Sequence, residues 1–132
     1  MRSNANKTII IAEAGVNHNG KIAIAKKLID TASKAGADYV KFQTFDVNEL
    51  ILKNTKTAVY QRNNLNNDIS QYSMLQNYQL SFQNHKTLVK YSKNRNIKFL
   101  STAFDEKSLG LLKNFNLDFI KIPSGEITNY PL

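Results

Sequence analysis

The sequence predicts an α/β fold of parallel strands joined by helices, on three observations. Short β-branched runs alternate with stretches of amphipathic helical spacing, in the order βα-βα-βα-β. Two of the helix-to-strand links are short, at Gly36 and around Asn96. Each strand ends in a side chain that ionises or hydrogen-bonds, the pattern of parallel sheets that carry a site at their C-terminal edge.

Strand one is expected over about Lys7 to Ala14, after a polar tail at residues 1–6. Ile9, Ile10, Ile11 and Ala12 read as a strand buried on both faces. That run drives straight into Glu13 and then into the polar loop GVNHNG. Helix one follows from about Lys21 to Ala35, with Ile22, Ala25, Leu28, Ile29 and Ala32 on one face and Gly36 suited to a left-handed cap. Strand two is Asp38 to Thr44. The region Phe45 to Gln79 is long and polar, Asn-rich around Arg62–Asp68, with a short helix near Ile69–Tyr78. A segment of that length is expected to form a partly ordered arm over the strand ends. Ser81 is the expected N-cap of helix two, whose apolar face draws on Phe82, Leu88 and Val89 up to about Asn94. Strand three is Ile97 to Ala103. Asp105 is placed to cap helix three, with Leu109, Leu112 and Phe115 on one face, and strand four is Asp118 to Ile122.

Length and composition exclude several classes. A chain of 132 residues holds one domain. Hydrophobic and charged fractions of 42% and 21% fit a globular protein. No apolar run spans a bilayer, and the N-terminus lacks the layout of a signal peptide. With no cysteine there is neither disulfide nor thiolate chemistry, so the cytoplasm is the expected location. The net charge of +8 is spread along the chain, with no like-charge block beyond Lys26-Lys27. That distribution argues for a basic solvated surface and against nucleic acid, which wants a clustered stripe with interleaved aromatics.

Alternation along each strand locates a site. Ile9, Ile11 and Glu13 share one face of strand one, and Tyr39, Lys41 and Gln43 share one face of strand two. Leu100 and Thr102 do so on strand three, and Phe119 and Lys121 on strand four. Any one of these polar residues has a structural explanation, such as a snorkelling edge lysine. Such groups on four strands, all at the same end of one face, point to a shared polar site. Two lysines with hydroxyls suit an anion bearing phosphate and carboxylate, and Ser124, in Pro123-Ser124-Gly125, could add its hydroxyl. Glu13 and Glu126 are the acid–base candidates, with salt bridges to the lysines as the structural alternative. Asn17 and His18 lie in the loop beside the site as candidate substrate contacts. His18 could equally serve only to hydrogen-bond the backbone.

Taken together, IIIAEAGVNHNG, GADYVKFQTF, FLSTAFD and FIKIPSGEITNYPL resemble the N-terminal half of the sialic acid synthase family over Thr8 to Leu132. AGVNHNG and KFQTF look closer to its neuraminate and legionaminate branches than to pseudaminate synthases. The resemblance implies a partial (β/α)8 barrel, a half-barrel of four parallel strands with intervening helices spanning residues 1–132. The C-terminal half-barrel and an antifreeze-like domain would lie outside this chain, since a whole barrel takes roughly 250 residues.

The implied reaction condenses phosphoenolpyruvate with an N-acylated amino-sugar aldehyde, such as N-acetylmannosamine or a bacterial relative, and releases phosphate. It is a transferase step of sialic acid biosynthesis, with the aldehyde polarised by a divalent metal, Mn or Mg. By resemblance Lys41 would hold the phosphoenolpyruvate carboxylate, and Lys121, Thr102 and Ser124 its phosphate. Gln43 would meet the sugar, while Glu13 and Glu126 manage protons and water.

Two departures stand out. Ala103 replaces the proline usual in the family's STPF motif. The family's metal-binding histidines fall outside this chain, and His18 and His85 do not replace them, His85 being far in sequence from the strand ends. The chain alone is therefore expected to be nearly inactive, and its open edges are expected to promote self-association. Two rivals remain: a Schiff-base aldolase using a strand-end lysine, which borohydride trapping would reveal, and a non-catalytic anion-binding or assembly module.

Overall fold

In the computed structural model residues 8–53 and 70–132 are described. The expected tail at 1–6 and the Asn-rich stretch Arg62–Asp68 lie outside them. The elements are β1 (Ile11–Gly15), α1 (Ile22–Lys34), β2 (Tyr39–Thr44), α2 (Val47–Leu50), α3 (Gln71–Tyr78), α4 (Phe82–Asn94), β3 (Lys98–Ala103) and α5 (Glu106–Leu112). A 3-10 turn at Ser124–Glu126 follows.

The three strands are parallel and neighbour one another in chain order, β1-β2-β3. Both crossover helices pack on the same side. Arg95 of the α4 cap pairs with Asp30 of α1 at 2.7 Å, and Ser33 donates to the Arg95 carbonyl at 2.7 Å. A sheet wound in one direction with its helices on one face is a barrel segment; a doubly wound sheet would split α1 and α4 across two faces.

Local chemistry explains the helices. On α1 the buried residues Ala25, Ile29 and Ala32 follow helical spacing, and Gly36 takes the left-handed conformation (φ 77°) just after it. Ser81 caps α4 by accepting from the Asn84 amide (3.1 Å), and Asp105 caps α5 through the Ser108 amide (2.7 Å). The main core lies between the helices and the sheet, where Ala25, Ile29 and Leu88 meet Val40, Phe42 and Phe99.

Five expectations are corrected. Strand one is shorter over the described residues: β1 begins at Ile11, Lys7 lies outside them, and Ile9, Ile10 and Ile11 are exposed at an edge of the sheet. Strand four, expected over Asp118–Ile122, contracts to a single parallel bridge between Lys121 and Thr102. Ile120 and Ile122 stay 55% and 62% exposed, so no described layer holds that segment extended. Helix three ends at Leu112, leaving Phe115 beyond it yet buried against Ala103 and Leu112. The inner stripe of α4 is His85, Leu88 and Ser92, while Phe82 sits half-exposed and stacks on Phe115. Finally, the described ends of the Phe45–Gln79 region carry α2 as well as α3. They are tied together by Val47 N–H donating to Gln79 Oε1 (3.0 Å) and Tyr72 Oη to Asn48 Oδ1 (2.8 Å). Among the described residues no helix is long and apolar enough to cross a membrane.

Candidate functional site

Ladder register brings the polar strand ends together. Glu13 lies opposite Lys41 on β1 and β2, and Gln43 lies opposite Thr102 on β2 and β3. Period-two alternation sends these four side chains to the face away from the helices, while Ala14, Phe42 and Phe99 enter the core.

Contacts follow from that register. The Lys41 ammonium forms an ion pair with Glu13 and reaches Thr102 Oγ1 at 3.4 Å. Lys41 is held close, its side chain 12% exposed, whereas the Glu13 side chain is 54% exposed and faces solvent. A bulge between Glu13 and Gly15 ends β1 and turns the chain into the loop. A Cβ on Gly15 would stand 3.5 Å from Glu13 Oε1 and 3.8 Å from Gln43 Nε2, so both side chains lie against bare backbone there. The result is a half-open polar face with a cation, a carboxylate, an amide and a hydroxyl within reach of one another. Such a set binds an anion at the lysine and hydroxyl and can exchange protons at the exposed acid.

The other sequence candidates are placed less directly. Lys121 is brought beside Thr102 by its backbone bridge, but its ammonium donates to the Ile122 carbonyl at 2.8 Å. Ser124 is exposed on the 3-10 turn, and Glu126 accepts from Asn129 Nδ2 at 2.7 Å. Neither side chain touches the Lys41 group. Asn17 is exposed in the turn after β1, where its amide donates to the Ala14 carbonyl (3.1 Å).

His18 lies in the loop between β1 and α1. It is fully buried, packs on Phe42 with ring centroids 6.0 Å apart, and accepts the Gly20 amide at Nδ1 (2.9 Å). Burial, with a smaller contribution from the charge of His85, holds its pKa below the ordinary 6.5. Its Nδ1 makes the backbone bond of one reading, and its Nε2 is buried with no hydrogen-bond partner among the described residues.

Ala103 fits its place. β3 amides reach β2 from Lys98 (to the Asp38 carbonyl, 3.1 Å) and Phe104 (to the Thr44 carbonyl, 3.2 Å), and alternation points the Ala103 amide the other way. Alanine and proline are thus equivalent for that ladder.

Sequence reasoning placed Asp105 as a helix cap but missed its link to Asp46, and it missed a second cluster altogether. Asp46 and Asp105 each follow a strand after a phenylalanine, and each caps a helix. Asp105 Oδ2 also takes the Asp46 amide (2.8 Å), and Lys107 pairs with Asp46, holding that carboxyl below its ordinary range. The repeated Phe-Asp (Phe45-Asp46, Phe104-Asp105) was the available signal. The second cluster is Thr44, His85 and Ser101, buried between the sheet and α4; no sequence spacing announces it. Among the described residues no three His, Asp or Glu side chains gather as a metal group. Both His85 nitrogens and His18 Nδ1 are engaged with protein atoms, whereas His18 Nε2 is buried with no hydrogen-bond partner among the described residues.

Comparison with known proteins bears on the fold and the family. The chain is 52% identical over 125 residues to an N,N'-diacetyllegionaminic acid synthase of Campylobacter jejuni, covering 95% of this chain and 37% of that one. It is 45% identical to the protein of the same name from Legionella pneumophila, covering 98% and 36%. The chain therefore spans little more than a third of the length of these relatives. Among solved structures, an N-acetylneuraminic acid (sialic acid) synthetase from Leptospira borgpetersenii, in complex with citrate, superposes with a TM-score of 0.77 at 31% identity, over 96% of this chain and 39% of that one. A NeuB family model matches residues 28–132, and with these relatives over nearly the whole sequence the chain belongs to the NeuB family.

Proposed function

We propose that this chain carries the phosphoenolpyruvate-binding part of a nonulosonic acid synthase. The whole enzyme condenses phosphoenolpyruvate with an N-acylated amino-sugar aldehyde: C3 of the enol forms a bond to the aldehyde carbon, water adds at C2, and phosphate leaves with C–O cleavage. The relatives' names support a synthase of sialic or legionaminic type. The observation that carries the reading is the Glu13–Lys41–Thr102 cluster at the C-terminal ends of three adjacent strands.

In this reading Lys41 neutralises the carboxylate end of phosphoenolpyruvate. Thr102 and the neighbouring Lys121 hold its phosphate once the Lys121 ammonium swings from the Ile122 carbonyl, and Ser124 adds its hydroxyl. Gln43 meets the sugar. Glu13, open to solvent, handles the proton and the attacking water together with Glu126. The family resemblance implies a divalent metal for the whole enzyme, with its ligands outside the described residues, among which no metal-binding cluster forms. Self-association through the open sheet edges is part of the same proposal.

Isothermal titration of the chain with phosphoenolpyruvate tests the reading. Loss of a charge-assisted contact is worth about 1.5–3 kcal/mol, so Lys41→Met is expected to weaken binding about 10- to 100-fold. Equal affinity of wild type and Lys41→Met would sink the assignment. A turnover assay of the chain alone is expected to show almost no synthesis, and robust turnover would contradict the proposed division of labour. A second reading, an anion-binding assembly module, rests on the same Lys41–Thr102 pair without any turnover. Binding without turnover, even beside a complementary C-terminal half, would select it.

A further inference from the structure

On the far side of the sheet from the proposed site, His85, Thr44 and Ser101 form a closed polar network inside an apolar layer. All three are buried, with Phe99 and Phe115 against the imidazole at centroid distances of 6.4 Å each. Its hydrogen-bond directions are fixed by elimination. The Ser81 carbonyl, 2.9 Å from His85 Nδ1, can only accept, so Nδ1 carries the proton. In the neutral ring Nε2 is then an acceptor and takes the Thr44 hydroxyl proton at 2.8 Å. Thr44 Oγ1 in turn accepts from Ser101 Oγ at 2.7 Å. Thr44 is the middle member, so removing its hydroxyl takes these bonds from both His85 Nε2 and Ser101 Oγ, at the desolvation cost of buried polar groups.

The network's position gives it a second consequence. Thr44 follows Gln43 on β2, and Ser101 precedes Thr102 on β3, while Gln43 and Thr102 are register partners. Adjacent strand residues point to opposite faces of one backbone, so a cross-link below the sheet sets the plane of the peptides that display the two side chains above it. We infer that His85 is a positioning residue for the site: through the hydroxyls of Thr44 and Ser101 it clamps β2 to β3 where Gln43 and Thr102 face each other, and so fixes Thr102 Oγ1 relative to Lys41. The functional consequence rests on the phosphoenolpyruvate reading above; the mechanical one does not.

Two measurements on the 132-residue chain keep those apart. His85→Phe keeps ring packing but removes both nitrogens, and His85→Gln restores an acceptor for Thr44. Thr44→Val removes the hydroxyl with little change of shape and serves as a second breaker should the Phe variant not fold. In amide NMR spectra without ligand, the Gln43 side-chain amide and the Thr102 backbone amide are expected to shift in His85→Phe and Thr44→Val and to return towards wild type in His85→Gln. In titration with phosphoenolpyruvate the two breakers are expected to weaken binding about three- to tenfold, the span of one neutral hydrogen bond, with His85→Gln closer to wild type. Breakers that lower the melting temperature yet leave both amides and the affinity of the folded chain unchanged would reduce His85 to a stability role and overturn the inference. If wild type fails to bind phosphoenolpyruvate, the functional reading falls, while the unliganded spectra still decide whether His85 sets the strand ends.

Discussion

Lys41 and Thr102 touch the same proposed ligand but differ in the physics they bring. The ammonium supplies charge in a half-buried setting, and the hydroxyl supplies a neutral hydrogen bond. Thr102→Val should therefore cost phosphoenolpyruvate affinity about tenfold at most, well below Lys41→Met, because a neutral bond contributes about 0.5–1.5 kcal/mol. A titration in which the two variants lose equally would argue that the lysine acts through packing alone.

The histidines make a separate prediction. Burial holds both His18 and His85 below their ordinary 6.5, so the folded chain resists protons that the unfolded chain accepts. Their contribution is fully present above 6.5 and is lost as pH falls from there towards the folded values. The melting temperature should drop as pH falls below about 6.5, with a shallower slope in His85→Gln. A melting temperature that rises on acidification would have the wrong sign.

At the level of elements, the loop after β1 and the helix α3 are fitted backbone to backbone. A Cβ built on Gly20 would lie 2.0 Å from the Asn77 carbonyl oxygen, and Gly20 already has φ 72°. Gly20→Ala must push α3 away as well as strain its own backbone, which alone costs about 1–2 kcal/mol. Hydrogen exchange should show amides of Gln71–Tyr78 opening faster in that variant while β2 and β3 stay protected. Unchanged α3 protection would mean that the contact is not what seats the helix. Asp105 offers a second test, since it satisfies the Ser108 amide and the Asp46 amide at once. Asp105→Ala should destabilise by more than the roughly 1 kcal/mol of an ordinary cap, measured by urea unfolding, because a buried amide of a neighbouring element is orphaned too.

For the molecule as a whole, the open edges carry the expectation. Ile9 and Ile10 lead into β1 at one edge, and Ile120 and Ile122 flank the lone Lys121–Thr102 bridge at the other, all more than half exposed. Edges of this kind pair with other chains. Sedimentation velocity should show concentration-dependent association, and Ile120→Lys with Ile122→Lys should reduce it; a strictly monomeric wild type would remove the edge argument.

The sequence alone determined what depends on neighbours along the chain. The helical stripe of α1, the Ser81 and Asp105 caps and the alternation that puts Glu13, Lys41, Gln43 and Thr102 on one face are all consequences of short-range geometry, and the family motifs lie in the same segments. Tertiary structure decided what depends on which segments meet. His85 is 41 positions from Thr44, yet a hydrogen bond joins them. His18 became a core residue because Phe42 lies beneath it, and the fourth strand shrank to one bridge because no described neighbour holds it extended. Propensity and periodicity carry no information about contacts across such separations, and burial, which turns a polar side chain into a network member or an exposed ligand contact, is set only when the chain has closed.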